Sequence, residues 1–362
     1  MEVPAEGFVH DQLTQRIVFG WGWLGQLPEE LDRLDAGRVL LVSESSVAKA
    51  AGRVADELGA RVRAHIAKVR THVPLEDVHT ARALARDKGV DVVVTIGGGS
   101  ATGLAKAVAV DGPSVVAVPT TYAGSEVTPI YGITTAGRKE TRRDARVLPR
   151  IVIYDPELTT SLSPRITATS GLNALAHCVE ALYARSPSPM SRLLAEEGIG
   201  ALAGSLPRAV EDPTHRGARS GALYGAYLAG VVLAATEMAL HHRICHVLGG
   251  TFGLAHGDAN AVVLPHVVAF NAPAAPGAVA RVAAAMGRAS AADGVWEFAR
   301  ELGAPASLRE LGFDERALER AGALVAEGGH YNPRPVARGD VVAILSAAFD
   351  GARPVERTDA AS

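Results

Sequence analysis

The stretch HHRICHVLGGTFGLAHGD, residues 241–258, places four histidines in eighteen positions. His242 and His246 are four residues apart, and His256 follows a glycine-containing bend. An earlier stretch, TSGLNALAHCVEALYA (169–184), repeats that spacing with Asn173 and His177. Residues four apart share one face of a helix. Imidazoles so placed can hold a metal, relay protons near neutral pH, or sit satisfied in a helical core. Two such pairs on facing helices, with His256 from a loop, could converge on one point, and a metal needs about three or four ligands. Asn173 is neutral where a divalent site would want a carboxylate, which weakens the metal option.

A second chemistry is written in VVVTIGGGSATGLAKAVA (92–109), a strand, a glycine turn and a helix. Gly97, Gly98 and Gly99 let the backbone approach a bound group, and the helix beginning at Ser100 offers N–H groups and a positive dipole end to a pyrophosphate. The pattern is neither G-x-G-x-x-G nor a P-loop, so a tight structural turn is the competing reading. VPTTYAGSEVTP (118–129) follows another strand. Its Thr120, Thr121, Ser125 and Thr128 could bond a ribose or phosphate, or line a polar surface loop. Glu44, at the end of the first strand, could accept from an adenosine ribose and so favour NADH, or be a solvated loop carboxylate.

These groups need a frame. RVLLVSE (38–44), RVRAHIA (61–67), DVVVTIGGGS (91–100), SVVAVPTT (114–121) and RIVIYD (150–155) read as strands. Helical patterns at 46–60 and 74–89 lie between them. Such alternation predicts an α/β dinucleotide-binding domain with a largely parallel sheet, residues 1–157. Strand patterns then fade. Helices near 167–185, 190–204, 216–248, 276–290 and 293–303 predict an all-α catalytic domain over 158–352, and 353–362 reads as a flexible tail.

The chain of 362 residues is 48% hydrophobic and 21% charged with a net charge of −3, which argues against disorder and against nucleic acid as a partner. The apolar run from Gly221 to Leu240 contains Glu237 and many small residues, so a buried helix is expected rather than a membrane span. Cys178 and Cys245 have neither disulfide-framework nor CxxC spacing. With no leader pattern at the first residues, a cytoplasmic setting with reduced thiols is expected.

GGGS, PTT-x-x-x-SE, LPRIVIYDPEL (148–158), the 169–184 segment and H-x-x-x-H…AHG occur in an order that resembles the iron-containing alcohol dehydrogenase superfamily over nearly the whole chain. Within it the chain is most similar to maleylacetate reductases, through GGGSATGLAKA, PTTYAGSEVTPIYGIT, RDARVLPRIVIYDPELT, HHRICHVLGGTFGLAHGDANAVVLPH and YNPRPV (331–336). The metal-dependent branch usually has Asp at the positions of Gly103 and Asn173. The resemblance implies a dehydroquinate synthase-like fold, a cleft between two domains as active site, and a homodimer. It implies cofactor contacts at Gly97–Ser100, Thr120, Thr121, Ser125 and Lys139. No resident metal is expected; were one held, its ligands would be Asn173, His177, His242 and His256, with His246 beside the nicotinamide.

The activity so implied is reduction of the conjugated C=C of 2-maleylacetate to 3-oxoadipate by NADH, or NADPH, in degradation of aromatic compounds. Hydride addition builds up enolate charge, which hydrogen-bond donors stabilise. His242 and His246 are the expected donors, with His241, His177 and His256 shaping the pocket. The substrate is a small dianionic keto acid, so Arg142, Arg143, Arg243 and Arg334 are candidate carboxylate partners, with Arg243 inside the histidine cluster, and Tyr122 is a further donor. The alternatives are a metal-dependent alcohol or aldehyde reductase of the same superfamily, and a secondary-metabolism reductase acting on another unsaturated keto acid.

Overall fold

Aliphatic and β-branched runs supply most of the strands, which follow in the chain as β1 (Arg16–Phe19), β2 (Val39–Ser43), β3 (Val62–Ile66), β4 (Val92–Gly97), β5 (Ser114–Pro119), β6 (Ile130–Thr135), β7 (Arg138–Arg143) and β8 (Ile151–Tyr154). The computed structural model describes Phe8, His10 and residues 13–135 and 138–355, apart from the side chains of 138 and 139. Six strands form a parallel sheet in the order β1-β8-β5-β4-β2-β3. β6 and β7 form a separate antiparallel hairpin.

Helices α1 (Leu27–Arg33), α2 (Ala48–Leu58), α3 (Leu75–Asp87) and α4 (Gly99–Ala109) complete this unit, Gln12–Leu162. Alternation along β2 and β4 gives the sheet two apolar faces. Val39, Leu41, Val92, Val94 and Ile96 pack in one core with Ala51, Val54 and Leu58 of α2. Leu40, Val42 and Val93 pack in the other with Val78 and Ala81 of α3 and Leu104 and Val108 of α4. The five strands expected from sequence are present. β1, α1 and the β6–β7 hairpin are additions; the hairpin has few aliphatic residues to mark it.

The second unit, which includes Ser163–Ser362, is helical among its described residues. It holds α5 (Pro164–Leu182), α6 (Pro189–Glu211), α7 (Arg216–Ala235), α8 (Leu240–Phe252), α9 (His256–Asn271), α10 (Pro276–Met286), α11 (Ala291–Glu301), α12 (Leu318–Ala326) and α13 (Arg338–Asp350). The division falls at Leu162/Ser163, five residues past the position expected from the fading of strand patterns. Ser163 and Ser188 set sharp starts: each hydroxyl accepts an N–H from the first turn, and each is followed by Pro at the first helical position.

Two expectations need correction here. The single helix expected over 216–248 is two, α7 and α8, bent by 99° at residues 236–239. No Pro or Gly marks this break, and its cause lies across the fold, in Glu180. The expected tail at 353–362 is held at its start: Arg353 pairs with Asp293 at 2.6 Å and Glu297 at 3.1 Å, and Trp296 donates to the Ala352 carbonyl. Residues 356–362 lie outside the described residues. No single helix among the described residues is long and apolar enough to cross a membrane. Cys178 and Cys245 are buried free thiols, and burial pushes both well above the usual thiol range.

Candidate functional site

α5, α8 and α9 bring five histidines together. The His177 and His242 rings stack with centroids 4.7 Å apart, and His241 meets His242 edge-on at 5.1 Å. His246 and His256 stack at 5.8 Å, each between 6.3 and 6.4 Å from His242. The cluster is graded: His177, His241 and His242 are buried, His256 is half-buried and His246 is exposed. Gly257 makes the approach of α9 possible, because a Cβ there would sit 3.2–3.3 Å from Thr169 of α5. An Arg165–Asp258 ion pair of 2.8 Å ties the same two helices.

Sequence reasoning missed the residue that organises the cluster, Glu180. It is fully buried on α5, one turn beyond His177. Its Oε1 accepts from His241 N at 2.8 Å and its Oε2 from Ala239 N at 3.0 Å. α8 has no capping side chain of its own at Ala239. Glu180 therefore caps α8 from a neighbouring helix, placing a carboxyl at the positive end of the dipole. The same Oε2 shares a 2.7 Å hydrogen bond with His242 Nδ1. The break before α8 and the orientation of His242 thus have one cause. The sequence did carry a hint: Asn173, His177 and Glu180 recur at i, i+4 and i+7, one helical face.

Asn260, one turn after His256, was also missed. Its Nδ2 donates to the His256 carbonyl at 2.7 Å, so its Oδ1 faces His241 Nε2 at 2.6 Å as acceptor. His241 must then carry its proton on Nε2. Burial lowers the His177 pKa well below the ordinary value, His241 to about 4 and His242 to about 3, and raises that of Glu180. Both shifts in the Glu180–His242 pair disfavour a carboxylate beside an imidazolium. His242 is thereby held as a neutral imidazole with its Nδ1 on the Glu180 carboxyl. His242 Nε2 is buried with no protein partner.

These shifts set a pH response. Histidines that titrate near 6.5 when unfolded and near 4 or 3 when folded give a native state that resists protonation. Their stabilisation is complete above pH 6.5 and is lost as pH falls toward the folded values. The urea midpoint is expected to fall steadily from pH 6.5 to 4. A midpoint level down to pH 5 would contradict the burial of His241, His242 and, on α9, His266.

The candidate metal-ligand residues supply no charge for a divalent cation, although Asn173 Oδ1, His177 Nδ1 and His242 Nε2 are buried without protein partners. Asn173 is buried one turn before His177 with its Oδ1 unpartnered, but it brings no charge. The nearest carboxyl, Glu180, is committed to His242 Nδ1 and two backbone N–H groups. Among the described residues no three His, Cys, Asp or Glu side chains form a metal-holding group. What survives is the outer part of such a site, a carboxyl orienting an imidazole, without a charged ligand.

Arg243 does not join the histidines. Its guanidinium donates to the carbonyls of Leu324 at 2.6 Å and Val325 at 3.5 Å, capping the last turn of α12. The expectation that it binds substrate is therefore replaced by a structural role. Arg334 donates to the Phe270 carbonyl at 3.1 Å and lies over that ring. Arg142 is exposed and paired with Glu140 at 3.1 Å, and Arg143 lies beside it on β7. Tyr122 is fully buried.

In the other unit β4 runs through Gly97 into α4, whose cap is Gly98 with no side-chain bond. Gly99 is exposed and Ser100 half-buried at the helix start. A Cβ on Gly98 would lie 3.0 Å from Thr121, and one on Gly97 would lie 2.8 Å from Ala101. Thr120 N donates to the Gly97 carbonyl at 3.0 Å. The turn and the 120–130 loop therefore form one surface, with helix N–H groups able to hold a pyrophosphate. Glu44 turns onto it: its Oε1 accepts from Gly98 N at 3.2 Å. Ser125 and Thr128 point the other way, toward Lys106, and Thr128 is buried. The Lys139 side chain lies outside the described residues.

Comparison with known proteins agrees with this geometry. Residues 14–156 match the family described as iron-containing alcohol dehydrogenase, and 167–349 match the C-terminal part of the Fe-containing alcohol dehydrogenase family. The chain is 46% identical to the maleylacetate reductase of Burkholderia cepacia over 348 residues, 96% of this chain and 99% of that one. It is also 46% identical to that of Sphingobium indicum, with the same coverage. The crystal structure of maleylacetate reductase from Agrobacterium tumefaciens is similar with a TM-score of 0.92 and 43% identity, covering 96% of this chain and 99% of that one.

Proposed function

The chain belongs to the iron-containing alcohol dehydrogenase family, an oxidoreductase family, and we propose that within it this enzyme reduces the conjugated C=C of 2-maleylacetate to 3-oxoadipate. The observation that carries the reading is the Glu180–His242 hydrogen bond at a site where Asn173 stands at the position of the metal-ligand carboxylate. Reduction of a ketone asks for an electrophile on its oxygen, commonly a metal. Conjugate reduction spreads the incoming electron pair onto an enolate, which hydrogen-bond donors can hold.

Gly97–Ser100, Thr120 and Thr121 would hold NADH, or NADPH in its place, and the cofactor so held would supply the hydride for one alkene carbon. His242, oriented by Glu180, presents Nε2–H to the enolate oxygen. His246, exposed to water, delivers the proton to the other alkene carbon and is reprotonated from solvent. His241, fixed by Asn260, and His177, stacked on His242, keep that ring in place. In this reading His256 lines the pocket, no metal takes part, and the enzyme works as a cytoplasmic homodimer in degradation of aromatic compounds. Glu44 beside the turn favours NADH, since a 2′-phosphate would meet its charge.

Product identification tests the assignment. With NADH and maleylacetate, carbon-13 NMR should show 3-oxoadipate with its ketone intact. A hydroxy acid retaining the alkene would show instead that the carbonyl is the acceptor.

A further inference from the structure

Lys106 is fully buried on α4, two turns past the glycine turn, and no step above uses it. Its Nζ donates to the carbonyls of Thr128 at 2.7 Å, Ile130 at 2.8 Å and Ser125. It also reaches the hydroxyls of Thr128 at 3.1 Å and Ser125 at 3.2 Å. Five oxygens of one loop thus surround a single cationic group, much as carbonyls and hydroxyls surround a bound ion. Glu126 in the same loop is buried, accepts from the Tyr154 hydroxyl at 2.8 Å and supplies the nearby opposite charge.

A buried lysine carries a large desolvation cost, so a structure keeps one only where its donors are filled. Here burial draws its pKa down to about 7 while Glu126 opposes the fall. Thr128 precedes β6 and Ile130 opens it, and both carbonyls accept from a partner outside the loop. Lys106 supplies that partner from the helix that itself begins at the glycine turn. Helix and loop are the two halves of the surface that meets the dinucleotide.

We propose that Lys106 is a positioning residue for cofactor binding: a tethered cation that holds the 120–130 loop in its binding shape, so that Thr120 and Thr121 need no ordering when the dinucleotide arrives. The inference rests on the assignment of this turn and loop to the cofactor. Pre-organisation of this kind acts on affinity for the group bound there and not on affinity for the second substrate.

The test uses Lys106→Met in the full chain, with KM measured separately for NADH and for the keto acid. The NADH KM should rise about tenfold or more while the keto-acid KM moves less than about twofold. Lys106→Arg should fail to restore it, because a planar fork cannot replace a compact ammonium among five oxygens. Thr128→Val, which retains shape and removes one acceptor, should shift the NADH KM in the same direction by a smaller factor, and it carries the test if Lys106→Met does not fold. An unchanged NADH KM in these variants, or both KM values rising together, would overturn the proposal alone. Failure of the unaltered enzyme to bind NADH or NADPH in a fluorescence titration would overturn the cofactor assignment with it.

Discussion

Replacing His242 with leucine is expected to lower kcat by about a thousandfold, the combined scale of a lost enolate donor and lost acid–base assistance. The Kd for NADH should change less than about twofold, because the glycine turn is untouched. The side chain is buried and of similar volume to leucine, so the fold should survive. Glu180 separates orientation from donation. Glu180→Gln retains one of the two oxygens that accept the α8 N–H groups, and its amide cannot pass a proton to Nδ1. It should lower kcat by about tenfold to a hundredfold and cost about 1 kcal/mol of stability, less than full truncation. Glu180→Ala should in addition lose about 3 kcal/mol of stability, since Ala239 N and His241 N are left without their acceptor. Stopped-flow turnover and urea melts on the three variants check this pattern. A His242→Leu enzyme with near-normal kcat would remove His242 from the chemistry.

Asn173→Asp is expected to turn the site toward metal. The change is nearly isosteric and adds one negative charge beside His177, within a cluster that already holds His242 and His256 and already has Glu180 behind His242. A divalent cation's affinity for neutral nitrogen and amide donors rises steeply when a carboxylate joins them. After equilibration with Zn²⁺ and dialysis, the variant should retain about one metal per chain and the unaltered enzyme well below that. Its melting temperature should climb with added Zn²⁺, as binding to the native state alone requires. Equal metal content in both proteins would mean that residue 173 does not decide metal binding.

The parallel sheet was largely legible because its central strands are aliphatic runs bounded by turns, and β2 and β4 bury every residue. The convergence of His177, His242 and His256 was legible from spacing joined to a known motif order. The break between α7 and α8 was not, because no Pro or Gly marks residues 236–239. It exists because Glu180 offers α8 a start that no local residue provides. Arg243 misled for the complementary reason: adjacency to histidines in sequence says nothing about which side of the helix it leaves, and its donors are consumed by α12. Lys106 looked like a helix residue following a glycine turn, and only the three-dimensional loop reveals its five partners.

Metal-independent conjugate reduction is the centre of the account, and one measurement reaches it directly: the initial rate of NADH oxidation with maleylacetate, before and after exhaustive dialysis against a chelator. The account predicts equal rates, with 3-oxoadipate formed in proportion to NADH consumed. Loss of activity in the chelator that Fe²⁺ or Zn²⁺ restores would contradict it.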